Sequence, residues 1–410
     1  MWPNVPTPVT EPRAHGRMHH TPFAAGRLTS VKFRIDRDSF ADAVGWTARS
    51  LPTRPSVPVL AGLLIETTQD GLTLSGFDYE TSTRATLPAE IADDGRALVS
   101  GRLLAEIVKS LPAKPVDVTT EGTKVQVVCG SARFSLQTMP VEEYPRLPDM
   151  PTATGTVKAD DFATAVAQAS AAAGRDEMLP LLTGVRLELE GSTVSLMATD
   201  RFRASLRELN WYPERGDVSA QALIPARVLG ETARSLAGGG DVTIAVSAGE
   251  AGDGLIGFEG TAGAGARRTT TRLLEGDFPR VRQLFQAQPE TVAYIATSDL
   301  VEAVKRVALV AERNTPLRLT FADGSVLLEA GSGDEAQASE AIEATINGPD
   351  IAIGFNPNYL LEGLAVIGDP IVHLAFTQHT KPAALSGVRE VGAEPDGAFR
   401  YLIMPVRLQN

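Results

Sequence analysis

The chain reads as an α+β protein built from three copies of one domain, each copy made of two helix-plus-antiparallel-sheet half units. Three observations predict this. An apolar helical stripe behind a polar residue occurs three times, landmark residues recur at one fixed offset, and the segments between helices alternate apolar with polar residues.

Residues 1–30 come first, with Pro3, Pro6, Pro8, Pro12 and Pro22. Proline fixes φ and removes a backbone donor, so a disordered leader is expected. It has no apolar run of the length a signal peptide needs.

The first copy is placed at 31–151. Its opening helix runs from Asp38-Ser39-Phe40 through Ala43, Val44 and Thr47, with the polar residue as cap. Strands follow at the glycine of LAGLLIE and at Leu72-Thr73-Leu74-Ser75, whose alternation predicts an antiparallel sheet with one covered face. Ala97-Leu98-Val99 and then Arg102–Val108 begin the second half unit. Cys129 ends the apolar run Val125-Gln126-Val127-Val128 and is expected to be buried and inert. Proline-rich 145–152 reads as a linker.

The second copy, 152–288, repeats this register. Phe162, Gly184, Leu196 and Asp200 each follow Phe40, Gly62, Leu74 and Asp78 by 122 positions (162−40, 184−62, 196−74, 200−78). Asp78 and Asp200 could pose as paired carboxylates, but as repeat equivalents they read as turn caps. Ala222-Leu223-Ile224 precedes the helix at Arg227, and Gln286–Glu290 reads as a second linker. The third copy, 289–410, has its helix at Ser298-Asp299-Leu300 and a hairpin turn at Asp323-Gly324. Ile351–Phe355 and Asn358–Leu361 form its second half.

Lys+Arg 38 against Asp+Glu 50 leaves a net charge of −12, which on its face argues against a nucleic-acid coat. The distribution is less one-sided. Arg49, Arg102, Lys109, Arg227, Arg234, Lys305 and Arg306 sit on or at the ends of helices, beside Glu106, Glu231, Glu302 and Glu362. Asp241, Glu250, Asp253, Glu259, Glu335, Glu340 and Glu343 fall in strand and turn regions. Repeats placed end to end make an arc that closes by oligomerisation, with helices lining the inside and sheets forming the outer wall. One Cys and five His exclude a disulfide framework and make a metal centre or other cofactor unexpected. No run of eighteen apolar residues suggests a membrane span. Phosphate-loop, GxSxG and Cys–His patterns are absent, and Gly260, Gly263 and Gly265 open no helix, so no enzyme is expected.

Several strings then carry a family resemblance. Phe134-Ser135-Leu136-Gln137-Thr138-Met139-Pro140 with Glu143-Tyr144-Pro145, Arg54-Pro55-Ser56-Val57-Pro58-Val59-Leu60, and Ala198-Thr199-Asp200-Arg201-Phe202-Arg203 resemble the bacterial β sliding clamp of DNA polymerase III, in an actinobacterial style. So do Gly354–Leu360 and the terminal Tyr401–Leu408. The resemblance runs from about Val31 to Leu408. It implies a cytoplasmic, nucleoid-associated homodimer of crescents that encircles duplex DNA without reading its sequence. Such a ring does no chemistry. It tethers the replicative polymerase, accepts a clamp loader and binds other proteins carrying a clamp-binding motif.

The resemblance also implies site residues. A pocket for short peptides with Gln, Leu and Phe anchors would draw Leu182, Thr199, Arg201, Phe202, Arg203, Pro279, Gln283 and Leu284 from copy two. Copy three would supply Asn356, Tyr359, Leu402, Ile403, Met404, Pro405, Val406, Arg407 and Leu408. Ala204 stands where the family carries a larger aliphatic residue, and Phe285-Gln286 replaces its common Leu-Pro. These departures suggest a second clamp copy that escapes pocket-directed peptide antibiotics. For DNA, Arg54 and Arg175 resemble family loop residues, whereas Arg102, Lys109, Arg227, Arg234, Lys305 and Arg306 rest on the helix charges. Arg133 and Phe134 on one edge, with Leu309 and Val310 opposite, would form the dimer seam. The rival reading is a repeat-built peptide scaffold that does not encircle DNA.

Overall fold

The computed structural model describes residues 30–247, 254–311, 315–331 and 336–408. Residues 1–29 of the expected leader, and the acids Glu250, Asp253 and Glu335, lie outside them.

Among the described residues there are six α-helices, two in each copy. They are α1 (Arg37–Arg49), α2 (Gly101–Ser110), α3 (Ala159–Ser170), α4 (Ala226–Leu236), α5 (Thr297–Val307) and α6 (Pro357–Leu364). They pack as the pairs α1–α2, α3–α4 and α5–α6. The stripe residues Phe40, Phe162 and Leu300 are fully buried, as their spacing requires.

The expected capping residues are displaced. Asp36, not Asp38, caps α1, its carboxylate accepting from the Ser39 amide at 2.9 Å. Asp160, Asp161 and Asp299 fall inside the first turns of α3 and α5, where the positive end of the helix dipole favours an acid without a capping bond. Asn356 is the other α-helix side-chain cap among the described residues, accepting from the Asn358 and Tyr359 amides, with Pro357 opening α6.

Among the described residues each copy has one half of four strands and one of five, the fifth a short edge strand, and the halves of neighbouring copies join. At the first junction Gly265–Arg272 of copy two pairs antiparallel with Thr81–Leu87 of copy one, within a 14-stranded sheet. At the second, Phe399–Ile403 of copy three pairs with Arg203–Asn210 of copy two, within a nine-stranded sheet. A remaining four-stranded sheet in copy three ends on Ala338–Glu343, which among the described residues pairs only with Ser325–Ala330. Asp323 (φ 50°) and Gly324 (φ 75°) make the hairpin turn the sequence predicts.

The one-covered-face expectation needs correction. Ser75 is fully buried, and so are Leu64 and Leu98 on the outer face of the first sheet. The linker turns back over that face, and Tyr144, Val141 and Leu147 pack there against Leu64, Phe77 and Leu98. Copy two repeats the device, with Phe278, Val281 and Phe285 covering Met197, Leu206 and Leu223. Cys129 is buried, its thiol donating toward the Pro112 and Lys114 carbonyls.

Candidate peptide pocket and nucleic-acid interface

The turn after Thr193–Thr199 builds one wall of a pocket at the second junction. Asp200 Oδ1 accepts from the amides of Phe202 and Arg203, both at 3.0 Å, and holds the turn shut. Arg201 takes a left-handed φ of 79° at its apex. This turn pushes Phe202 outward, 54% exposed, to stack on Tyr359 with ring centroids 6.2 Å apart. The Met404 amide donates to the Phe202 carbonyl at 2.8 Å. Beyond it the chain crosses Gly354, where any Cβ would lie 2.9 Å from the Val406 carbonyl oxygen and 2.8 Å from a Leu408 methyl.

The resulting cavity, about 650 Å³, is lined by Phe202, Asn356, Pro357, Asn358, Tyr359, Met404, Pro405 and Val406. Ala308, Ala311, Thr315 and Pro316 complete it. Sequence reasoning missed these last four, because nothing in the third copy's helix pattern marks the segment after α5 as facing Tyr359, and it did not name Pro357 or Asn358 for the pocket either, although both lie in the resembling 354–360 string.

The structure divides the rest of the expected pocket set. Thr199, Arg203, Ala204, Leu402 and Ile403 are buried and frame the walls instead of facing the cavity. Ala204 and Leu402 belong to the apolar cluster that contains Phe285, so the small side chain is covered. Pro279, Gln283 and Leu284 are exposed in the segment that carries Phe278, Val281 and Phe285 of that cluster, and Leu182 is half-buried. Arg201 and Arg407 are exposed and Leu408 is half-buried.

Arg203 is the centre of a buried network. Its Nε donates to Asp200 Oδ2 at 2.9 Å, and its Nη1 donates to Glu362 Oε2 and, at 3.2 Å, to the Tyr401 hydroxyl. Its guanidinium lies 4.5 Å from the Tyr359 ring centroid. The Tyr401 hydroxyl in turn donates to the Tyr359 carbonyl at 3.1 Å. Burial opposes the Arg203 charge, but Tyr401, Glu362 and Asp200 outweigh it and hold its pKa above the ordinary arginine value. Burial also raises the Tyr359 and Tyr401 hydroxyls, so both stay protonated at neutral pH.

The expected DNA residues Arg54, Arg102, Lys109, Arg175, Arg227, Arg234, Lys305 and Arg306 are all exposed. They are not equally free. Lys305 pairs with Glu302 at 3.0 Å, Arg306 pairs bidentately with Glu340, and Arg175 pairs with Glu362 at 3.0 Å. Arg54, Lys109, Arg227 and Arg234 form no ion pair with a described carboxylate. Arg227 and Arg234 of α4 meet Arg49, Trp46 and Arg267 in a 450 Å³ cleft at the first junction. Arg267 was not foreseen. It is buried over the Trp46 ring at 5.1 Å and ion-paired to Asp42.

At the expected seam, Leu309 is 84% exposed in the short turn after α5, and Val310 is half-buried beside it. Arg133 and Phe134 lie on Ala132–Met139. There only Thr138 and Met139 pair with the 95–100 strand, while positions 132–137 pair only with Lys124–Cys129. One edge of that strand is therefore open among the described residues.

Two junctions joined strand to strand, with strand edges open among the described residues at both ends of the arc, define a protein of the clamp class. Comparison with known proteins gives the family. Models of the DNA polymerase III beta subunit match in order: the N-terminal domain over residues 31–148, the central domain over 156–280 and the C-terminal domain over 282–407. The chain is 57% identical to the beta sliding clamp of Streptomyces coelicolor over 93% of its own length and 100% of that protein's. It is 43% identical, over the same shares, to the beta sliding clamp homolog GriR of Streptomyces muensis. Its structure aligns with a DnaN sliding clamp from Pseudomonas aeruginosa bound to griselimycin, with a TM-score of 0.83 and 25% identity, covering 92% of this chain and 100% of that one. The chain belongs to the DNA polymerase III beta subunit family, the β sliding clamps. It is a non-catalytic processivity subunit.

Among the described residues no helix is long and apolar enough to cross a membrane.

Proposed function

We propose that two copies of this chain close head to tail into a ring around duplex DNA, and that the pocket at the second junction takes peptide segments of the polymerase, the clamp loader and other partners. The observation that carries the ring is the repeat itself. In each joined junction the last strand of one copy's second half pairs with the third strand of the preceding copy's first half, as Gly265–Arg272 with Thr81–Leu87 and Phe399–Ile403 with Arg203–Asn210. The equivalent strands left over are Ala132–Met139 and Ala338–Glu343, each with an edge open among the described residues. A second molecule satisfies both edges by the same rule, with Leu309, Val310, Arg133 and Phe134 beside the seam. The division of the chain at 31–151, 152–288 and 289–410 belongs to the same proposal.

DNA contact in the lumen is sequence-independent and falls with salt. The free guanidinium groups Arg54, Arg227 and Arg234 support the contact more than the paired Lys305 and Arg306 do. Duplex binding measured across a salt series tests this. Arg227→Ala and Arg234→Ala each lower the slope of log affinity against log salt by about one, and Lys305→Ala lowers it less. Equal slopes in all variants would remove these residues from the lumen contact.

A second reading is a clamp copy insensitive to pocket-directed peptide antibiotics. It rests on Ala204, whose small side chain stands behind the pocket where the family carries a larger one. Griselimycin occupies a related clamp. Affinities for griselimycin and for a polymerase-derived peptide test the reading, and equal, strong binding of both overturns it.

A further inference from the structure

We infer that Glu362 couples the lumen to the peptide pocket, so that DNA in the ring tightens peptide binding. This rests on the reading of Arg175 as a lumen residue and of the Tyr359 cavity as the peptide site. Glu362 sits on α6, one turn beyond Tyr359, and its two oxygens serve different masters. Oε1 accepts from Arg175 Nη2 at 3.0 Å, and Oε2 accepts from Arg203 Nη1. The two arginines differ sharply in setting. The Arg175 side chain is 81% exposed in the turn after α3, while that of Arg203 is 4% exposed beneath Tyr359. All three residues border one 340 Å³ cleft on the helix side of the second junction, together with Arg234.

The sign follows from charge. An exposed ion pair is weak and is exchanged readily for a phosphate oxygen. When a phosphate draws Arg175 away, Glu362 keeps Arg203 as its one guanidinium partner, and the attraction between them is no longer shared. Arg203 carries the Tyr359 ring on its guanidinium face, and Phe202 stacks on that same ring. A firmer Arg203 therefore means a more ordered pocket wall and a smaller ordering cost when a peptide binds. Reciprocity requires that a bound peptide raise DNA affinity by the same factor.

The test uses the full-length dimer, a fluorescent peptide with Gln, Leu and Phe anchors, and a short duplex. Peptide affinity is measured with and without saturating duplex, and duplex binding is followed separately with labelled DNA. For the native chain the duplex tightens peptide binding by about two- to fivefold, the range an exposed pair can transmit. Arg175→Ala binds peptide as the DNA-bound native chain does and no longer responds to duplex, although its remaining lumen arginines still bind it. Glu362→Gln binds peptide more weakly and also ignores duplex. A duplex response unchanged in Arg175→Ala overturns the coupling while leaving pocket and lumen intact. A native chain that binds duplex but no peptide overturns the pocket reading, and the coupling with it.

Discussion

Tyr79 and Arg201 stand 122 positions apart and share one unusual backbone state, with φ of 76° and 79°. Each sits directly after an aspartate that closes the turn. Asp78 Oδ1 accepts from the Glu80 and Thr81 amides, and Asp200 Oδ1 from the Phe202 and Arg203 amides. Left-handed φ is costly for side chains of this size, so the aspartate bonds are what keep the turn in place. The two turns have since diverged in use. The first ends in Thr81, hydrogen-bonded to Thr271 at 2.9 Å across the junction, and the second in the buried Arg203.

Asp78→Ala therefore destabilises the fold by about 1 kcal/mol, the loss of two amide acceptors at a part-buried turn. Asp200→Ala costs more, about 2–3 kcal/mol, because it also strips a carboxylate from a buried guanidinium. Urea unfolding of both variants checks the order. Equal losses contradict the account.

Tyr359→Ala removes the ring that both Phe202 and Arg203 contact. Peptide affinity drops at least tenfold, an effect of about 1.4 kcal/mol or more, while the dimer and duplex binding persist. Fluorescence anisotropy with the same peptide reads this directly.

Burial lowers the His373 pKa from its ordinary 6.5, with Glu394 pulling weakly the other way. The ring is 8% exposed and lies edge-on to Tyr294, 5.2 Å between centroids. Its folded pKa lies below its unfolded one, so the unfolded chain binds the extra proton. The stability contribution of the neutral ring is whole above pH 6.5 and is lost as pH falls through the folded value. Melting temperatures from pH 8 down to pH 5 fall less in His373→Gln than in the native chain, if compared after subtracting their difference at pH 8.

Leu309→Glu places a charge on an apolar residue that is 84% exposed in the single chain. It shifts the sedimentation profile toward monomer, and Phe134→Asp on the opposite edge does the same. The fold survives in Leu309→Glu, whereas Phe134→Asp also loses packing against the first copy's core and is compared by melting temperature before its sedimentation is read.

The repeat was legible because its landmarks are local. Phe40 and Phe162 fill helix stripes, Gly62 and Gly184 open strands, and the two aspartates close turns, each within a short window. Caps were misplaced by one half-turn because the recurring acid marks the first turn and not the cap itself. The pocket's outline at Phe202, Tyr359 and Met404 was carried by family resemblance, and its inner wiring was not legible. Glu362 lies 159 positions from Arg203, and Arg306 lies 34 from the Glu340 that neutralises it. Pairings at such separations are set by the arrangement of sheets and helices, on which hydrophobic periodicity is silent.

Retention on DNA after loading tests the ring most directly. The dimer is placed on nicked circular DNA by a clamp loader, and the bound fraction is measured before and after the circle is cut. The account predicts that the protein stays on the circle at high salt and is lost once the DNA is linear. Binding that ignores linearisation contradicts encirclement and leaves a clamp-shaped peptide scaffold.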